Sequence, residues 1–204
     1  RERERERQDE EVRQAEPGPH DGGGSTTANR FFDDVPDPKL IFRISNLKDD
    51  GTVNPDFSEL GYTFPQPRVG LINVDLDSDG KAADPVLFVT GGYDLNKDAR
   101  GSGSTGVVGT NDTMGNAFYV INAKTGALVW KAVKSGTASS TTFVDANLTD
   151  SIPSEPAVLD SNGDGTINGS DKVYLYFGLR RGGRVLYGMD ITTPTDPKLI
   201  FRIS

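Results

Sequence analysis

The segments GNAFYVINAKTGALVWK (Gly115–Lys131) and GRVLYGMDITTPTDPKLIFR (Gly183–Arg202) follow one plan: a glycine, an aromatic-bearing apolar run, a polar turn, and a last run ending aromatic then basic. Trp130-Lys131 closes the first and Phe201-Arg202 the second. Working outward, the likeness continues. PRVGLINV (Pro67–Val74) enters the acidic stretch DLDSDGKAAD (Asp75–Asp84) and leaves through PVLFV, while PAVL (Pro156–Leu159) enters DSNGDGTINGSD (Asp160–Asp171) and leaves through KVYLYFG. Short β-branched and aromatic runs bounded by Gly, Asp, Asn and Pro read as strands joined by turns. Residues 67–131 and 156–202 therefore each predict a meander of four strands, and the pair is an internal repeat.

Repeated four-stranded antiparallel units hide their faces only against their neighbours, which is how propeller blades are built. The sequence thus predicts an all-β fold over residues 30–204: a partial β-propeller of about two four-stranded blades plus a stray strand, with acidic calcium loops. A generic β-sandwich with chance similarity is the alternative. A ring takes about four to eight blades, so two would be a fragment or would need other copies. DPKLIFRIS occurs identically at Asp37–Ser45 and Asp196–Ser204, the mark of a duplicated or misassembled gene piece.

Composition agrees with short strands and turns. The chain has 204 residues with 24 glycines, 12 prolines and a formal net charge of -8, which repels phosphate backbones and anionic lipid surfaces. Nucleic acid is excluded as an expected partner. The absence of cysteine rules out disulfides and thiolate metal sites without fixing the compartment. No apolar run is long enough for a membrane span and no export signal opens the chain, so a secreted parent would contain this as an internal piece. Residues 1–29 begin RERERERQDEEVRQAE and pass into a glycine-rich stretch with almost nothing to bury; they read as a disordered leader, the alternative being a lone charged helix.

The acidic loops carry the chemistry. In the loop from Asp160 to Asp171, oxygen-bearing side chains fall at the positions of a twelve-residue calcium loop: Asp160, Asn162 and Asp164 as side-chain ligands, Thr166 through its carbonyl, Asn168 directly or through water, and Asp171 closing where a bidentate Glu is usual. Gly165 permits the sharp turn between them. The arrangement resembles a dockerin loop, but a strand rather than a helix follows. The other loop begins alike with Asp75, Asp77, Asp79 and Gly80; Lys81 offers its carbonyl while its ammonium points to water. Ala83 then stands where a ligand would be, which leaves Asp84 to close a shortened cage. A solvated acidic turn is the alternative there.

Asp94, Asn96 and Asp98 repeat the alternate spacing without a glycine or closing acid, and read as loop surface. Residues 100–115 read as a long exposed insertion, and Arg180, Arg181 and Arg184 as a solvated basic turn. The one histidine, His20, lies in the leader, so neither a Ser-His-Asp triad nor a histidine-ligated zinc is available. No enzyme is expected.

With FSELGYTFPQPRVGLI, GGYD, MGNAFYVINAKTGALVW and KVYLYFGLRRGGRVLYGMDITTPTDPKLIFRIS, most of residues 38–204 resembles the C-terminal propeller of PilY/PilC-type type IV pilus proteins. The resemblance implies a location at the pilus tip or outer surface and a part in pilus extension and retraction, adhesion and twitching. Partners would be type IV pilus components and host-cell surface receptors. It also implies calcium on an acidic loop, here Asp75, Asp77, Asp79 and Asp84. The order of pieces departs from that family, in which a segment like Lys172–Ser204 precedes one like Phe57–Val74. GNAFYVINAKTGALVW is similar, too, to quinoprotein propeller repeats, but a quinoprotein dehydrogenase needs a cysteine pair that this chain lacks. A purely structural extracellular propeller is the remaining alternative.

Overall fold

The computed structural model describes residues 39–81, 84–95, 111–162, 172–180, 185–193 and 195–204; the expected leader lies outside them. From Leu40 to Ser204 the chain forms one structural unit. Its nine strands are β1 (Arg68–Ile72), β2 (Asp84–Thr90), β3 (Phe118–Asn122), β4 (Leu128–Val133), β5 (Thr142–Val144), β6 (Ala157–Asp160), β7 (Val173–Gly178), β8 (Leu186–Asp190) and β9 (Lys198–Ile203). No α-helix occurs among the described residues. The strands make two sheets, ordered β1-β2-β3-β4-β5 and β6-β7-β8-β9.

Strands β1 to β4 and β6 to β9 are antiparallel meanders, one in each of the repeated segments. Their registers correspond residue by residue. Val120 faces Trp130 and the ladder shifts between Val120 and Ile121; Gly188 faces Phe201 and the ladder shifts between Gly188 and Met189. Tyr119 opposite Lys131 likewise matches Tyr187 opposite Arg202. The turns agree as well: the Asn122 carboxamide oxygen accepts from the Lys124 and Thr125 amides, and the Asp190 carboxylate from the Thr192 amide. These side chains satisfy turn amides that the ladder leaves open.

The strand outside the meanders is β5, which lies parallel to β4 and continues the first sheet. The two copies of DPKLIFRIS end differently. Downstream, Lys198–Ile203 is β9, paired with β8 across a short connection. Upstream, Leu40–Arg43 carries no strand; its Phe42 ring lies against Gly126 in the β3–β4 turn, and Leu47 bridges Val53 just beyond. Strand pairing is a property of the available edge: β8 offers one after a short loop, whereas the outer edge of β4 is taken by β5.

Both faces of the first sheet are apolar. Val86, Phe88, Phe118, Val120, Trp130 and Ala132 on one face pack with Val173, Leu175, Phe177, Tyr187 and Met189 of the second sheet. Phe118 stacks on Phe177 at 5.2 Å and Phe177 on Tyr187 at 5.0 Å. The opposite face, with Tyr119 and Ile121, is closed by Phe57 and Leu60 from the segment before β1. By the shared register, Tyr187 and Met189 stand where Tyr119 and Ile121 stand in the first sheet. The equivalent sheets therefore pack front to back, one face of the first against the other face of the second.

Charged hydrogen bonds pin the junction. Asp145, just after β5, accepts from Arg202 of β9 at 2.9 and 3.2 Å and from the Tyr187 hydroxyl at 3.2 Å. Backbone approach is closest where Gly91 and Gly92 pass Gly61, Tyr62 and Gly115: the Gly61 amide donates to the Gly91 carbonyl at 2.8 Å and the Gly92 amide to that of Ile152 at 3.2 Å. Gly92 has φ +91, and a Cβ there would meet the Tyr62 carbonyl oxygen at 2.2 Å. Gly92→Ala is expected to cost at least about 3 kcal/mol, since it adds left-handed strain to a clash with fixed backbone. A urea midpoint within error of the parent's would contradict that packing.

Candidate metal centre

The β1–β2 connection is built from Asx-type turns. Its carboxylates take the amides of their own loop: Asp75 accepts from the Asp79 and Gly80 amides at 3.2 and 3.0 Å, Asp77 from the Asp79 amide at 3.2 Å, and Asp84 from the Leu76 amide at 2.6 Å. Gly80, at φ +82, supplies the left-handed turn that folds the loop back. The register of β1 with β2 sets Ile72 opposite Asp84, so Asp84 reaches the loop from the first position of β2. One oxygen from each of Asp75, Asp77 and Asp84 lies within 4.8 Å of the others, with Asp84 buried and the other two exposed. Among the described residues this is the group of acids that could hold a metal ion.

Lys124, in the β3–β4 turn, sends its ammonium into this group. Nζ donates to Asp77 Oδ2 at 2.6 Å and to Asp84 Oδ1 at 2.7 Å. The pairing raises the Lys124 pKa, through Asp77 first and Asp84 second. It lowers that of Asp84, where the Lys124 bond leads and the Leu76 amide adds to it. Sequence reading did not single out Lys124. Its signal lay in the Asn122-Ala-Lys-Thr-Gly126 turn, but nothing in the sequence placed that turn beside a loop some forty residues upstream.

The other expected ligands divide. Asp79 is not in the group: its carboxylate accepts from the Lys81 amide at 2.8 Å and the Lys81 ammonium at 3.0 Å. The expectation that this ammonium points only to water is corrected, because the Asp79 carboxylate two residues away draws it back along the turn. The bond to Lys81 holds the Asp79 carboxyl below its usual range. In the loop after β6, Asp160 is the last residue of the strand, Asn162 is exposed, and the Lys172 amide donates to Ser161 Oγ at 3.0 Å. Asp164, Thr166, Asn168 and Asp171 lie outside the described residues.

Comparison with known proteins gives no match to a family model, a curated protein or a solved structure. The site stands on its own geometry.

Two expectations about charged loops are corrected. Asp94 is not loop surface: it is buried, and its Oδ2 accepts from the Thr113 amide at 2.7 Å, the Met114 amide at 3.1 Å and Thr113 Oγ1 at 3.1 Å. Arg180 is not a solvated turn residue. Its side chain donates to the Asp94 carbonyl at 2.6 Å, lies 3.7 Å from the Asp112 carboxylate and sits over the Tyr93 ring at 4.5 Å. Asp112, at the described end of the expected exposed insertion, is buried and accepts from the Ser151 amide at 2.8 Å. Buried acids that receive backbone amides and a guanidinium are structural joints, and this one ties the segment after β7 to the segments before β3 and β6. Arg180→Ala is expected to cost about 3–5 kcal/mol by removing the guanidinium from a buried carboxylate, and Arg180→Lys to recover less than half, because an ammonium lacks the planar fork. Chemical denaturation measures both; a loss below about 1 kcal/mol for the alanine variant would place the network outside the stability core.

Proposed function

We propose that this chain is a calcium-binding β-propeller region of a type IV pilus-associated surface protein acting in pilus biogenesis, adhesion and twitching motility. One observation carries the calcium reading: three carboxylates, brought together from a loop and the strand after it, converge on a position that already receives a cationic group. The donor set is all oxygen, which suits a hard cation such as calcium and disfavours metals that prefer nitrogen or sulfur. Backbone amides hold Asp75, Asp77 and Asp84 in place, so a bound ion would not have to organise the loop from nothing. Bound calcium would supply a divalent charge that offsets the repulsion among these carboxylates and stiffens the connection between β1 and β2.

The propeller part of the reading is supported by the front-to-back packing of two equivalent meanders, since that arrangement can be repeated while a face-to-face sandwich cannot. The pilus part rests on the sequence resemblance and places the protein outside the cell, where calcium is plentiful enough to fill even millimolar sites. Asp160, Asn162, Asp164, Thr166, Asn168 and Asp171 would form a second calcium loop, and Lys81 would contribute its carbonyl to the first.

Calorimetric titration of the metal-free chain with calcium is expected to give saturable binding, with the β1–β2 site lost in an Asp75→Ala, Asp77→Ala variant. At about a hundredfold excess over Kd, the ion should stabilise the parent by about 2.7 kcal/mol per site. A folded parent that binds no calcium contradicts the reading. Calcium-dependent attachment to purified type IV pili, absent from the same variant, tests the pilus assignment; calcium-bound chain that ignores pili sinks that part alone.

The ammonium of Lys124 occupies the position a metal would take, so an entering ion must displace it. Lys124→Met is expected to tighten calcium binding at this site by about three- to tenfold, the scale of the exposed ion pairs removed. Unchanged or weaker binding would show that the lysine does not compete.

A further inference from the structure

The shared register of the two sheets identifies a surface that one of them covers and the other leaves open. In the first sheet, Val86, Phe88, Phe118, Trp130 and Ala132 are fully buried beneath the second. Their counterparts by strand pairing are Tyr174, Tyr176, Leu186, Phe201 and Ile203. This outer face of the second sheet is apolar, with Tyr176 and Phe201 stacked at 6.1 Å. Yet Tyr174, Tyr176 and Phe201 are only half-buried, and Leu186 and Ile203 remain 43% and 60% exposed. Leu159, paired with Tyr174 across β6 and β7, extends the patch and is exposed as well.

We propose that this outer face of β6–β9 docks against the same face of a second copy of the chain. What covers the equivalent face inside the molecule is another sheet of the same repeat, so the chemistry the patch fits is known from the molecule itself: a flat, aromatic and aliphatic sheet face. A second copy cannot offer the back of its first sheet, because Phe57 and Leu60 already close the Tyr119 and Ile121 side. It can offer its own outer face. Pairing this face with itself makes an isologous two-fold dimer, which closes without leaving a further sticky surface. Tyr174, Tyr176, Leu186, Phe201 and Ile203 bear no charge, so self-pairing sets no like charges against each other despite the net charge of -8. At one end Asp190 and Lys198, paired across β8 and β9, carry opposite signs that suit a two-fold contact. The inference does not depend on calcium binding.

Sedimentation velocity of the full chain over the micromolar range, with and without calcium, tests it. A monomer–dimer equilibrium is expected, abolished by Leu186→Lys with Ile203→Lys and preserved by Phe64→Lys, a control at an exposed ring elsewhere. Both positions are solvent-exposed in the monomer, so the double variant should keep the parent's circular dichroism and urea midpoint. Three outcomes overturn the proposal: a parent that stays monomeric throughout, a dimer that survives the double substitution, or an open ladder of larger species that signals head-to-tail stacking.

Discussion

A four-stranded sheet with two apolar faces cannot hide both by itself, and everything else in this molecule follows from how the faces are covered. The first sheet meets the second on its Trp130 side and the Phe57 and Leu60 segment on its Tyr119 side. Burial of large side chains such as Trp130, Tyr119, Tyr187, Phe88 and Phe118 supplies the main driving force, at about 1.5–3 kcal/mol for each fully buried apolar side chain. The polar joints serve that packing. Asp145 with Arg202 and Tyr187, and Arg180 with Asp94 and Asp112, fix the angle at which the sheets meet. They supply direction where burial supplies energy.

The candidate metal centre is a by-product of the same frame. β1 and β2 must be joined by a turn, and a turn rich in Asp closes on its own amides. Once it does, the carboxylates of Asp75 and Asp77 stand beside Asp84 at the root of β2, and the β3–β4 turn places Lys124 among them. The strand pairing of β2 with β3 thereby links the acidic loop to a turn that also bears on Phe42 through Gly126.

Much of this was legible in the sequence because it is local. Alternating apolar runs, turn residues and the matched endings Trp130-Lys131 and Phe201-Arg202 located eight of the nine strands and their meander order. The acidic spacing located Asp75, Asp77 and Asp84. What depends on long-range pairing was not legible. DPKLIFRIS makes the point within one chain: the same residues form β9 beside β8 and no strand at Leu40–Arg43. The short parallel β5, with its TFV core, has too little pattern to announce itself. Arg180 and Asp94 look like surface residues because a charge in a loop ordinarily is one, and only the fold brings their partners to them.

Hydrogen exchange of the backbone amides, followed with and without calcium, tests the central claim most directly. If an ion completes the acidic loop, protection rises over Asp75–Asp84, whose amides close on the ligating carboxylates, and changes at the Ala123–Gly126 turn as Lys124 is displaced, while the β7–β8 core stays as it was. Calcium that leaves the β1–β2 connection unprotected would contradict the account, however tightly the ion bound elsewhere.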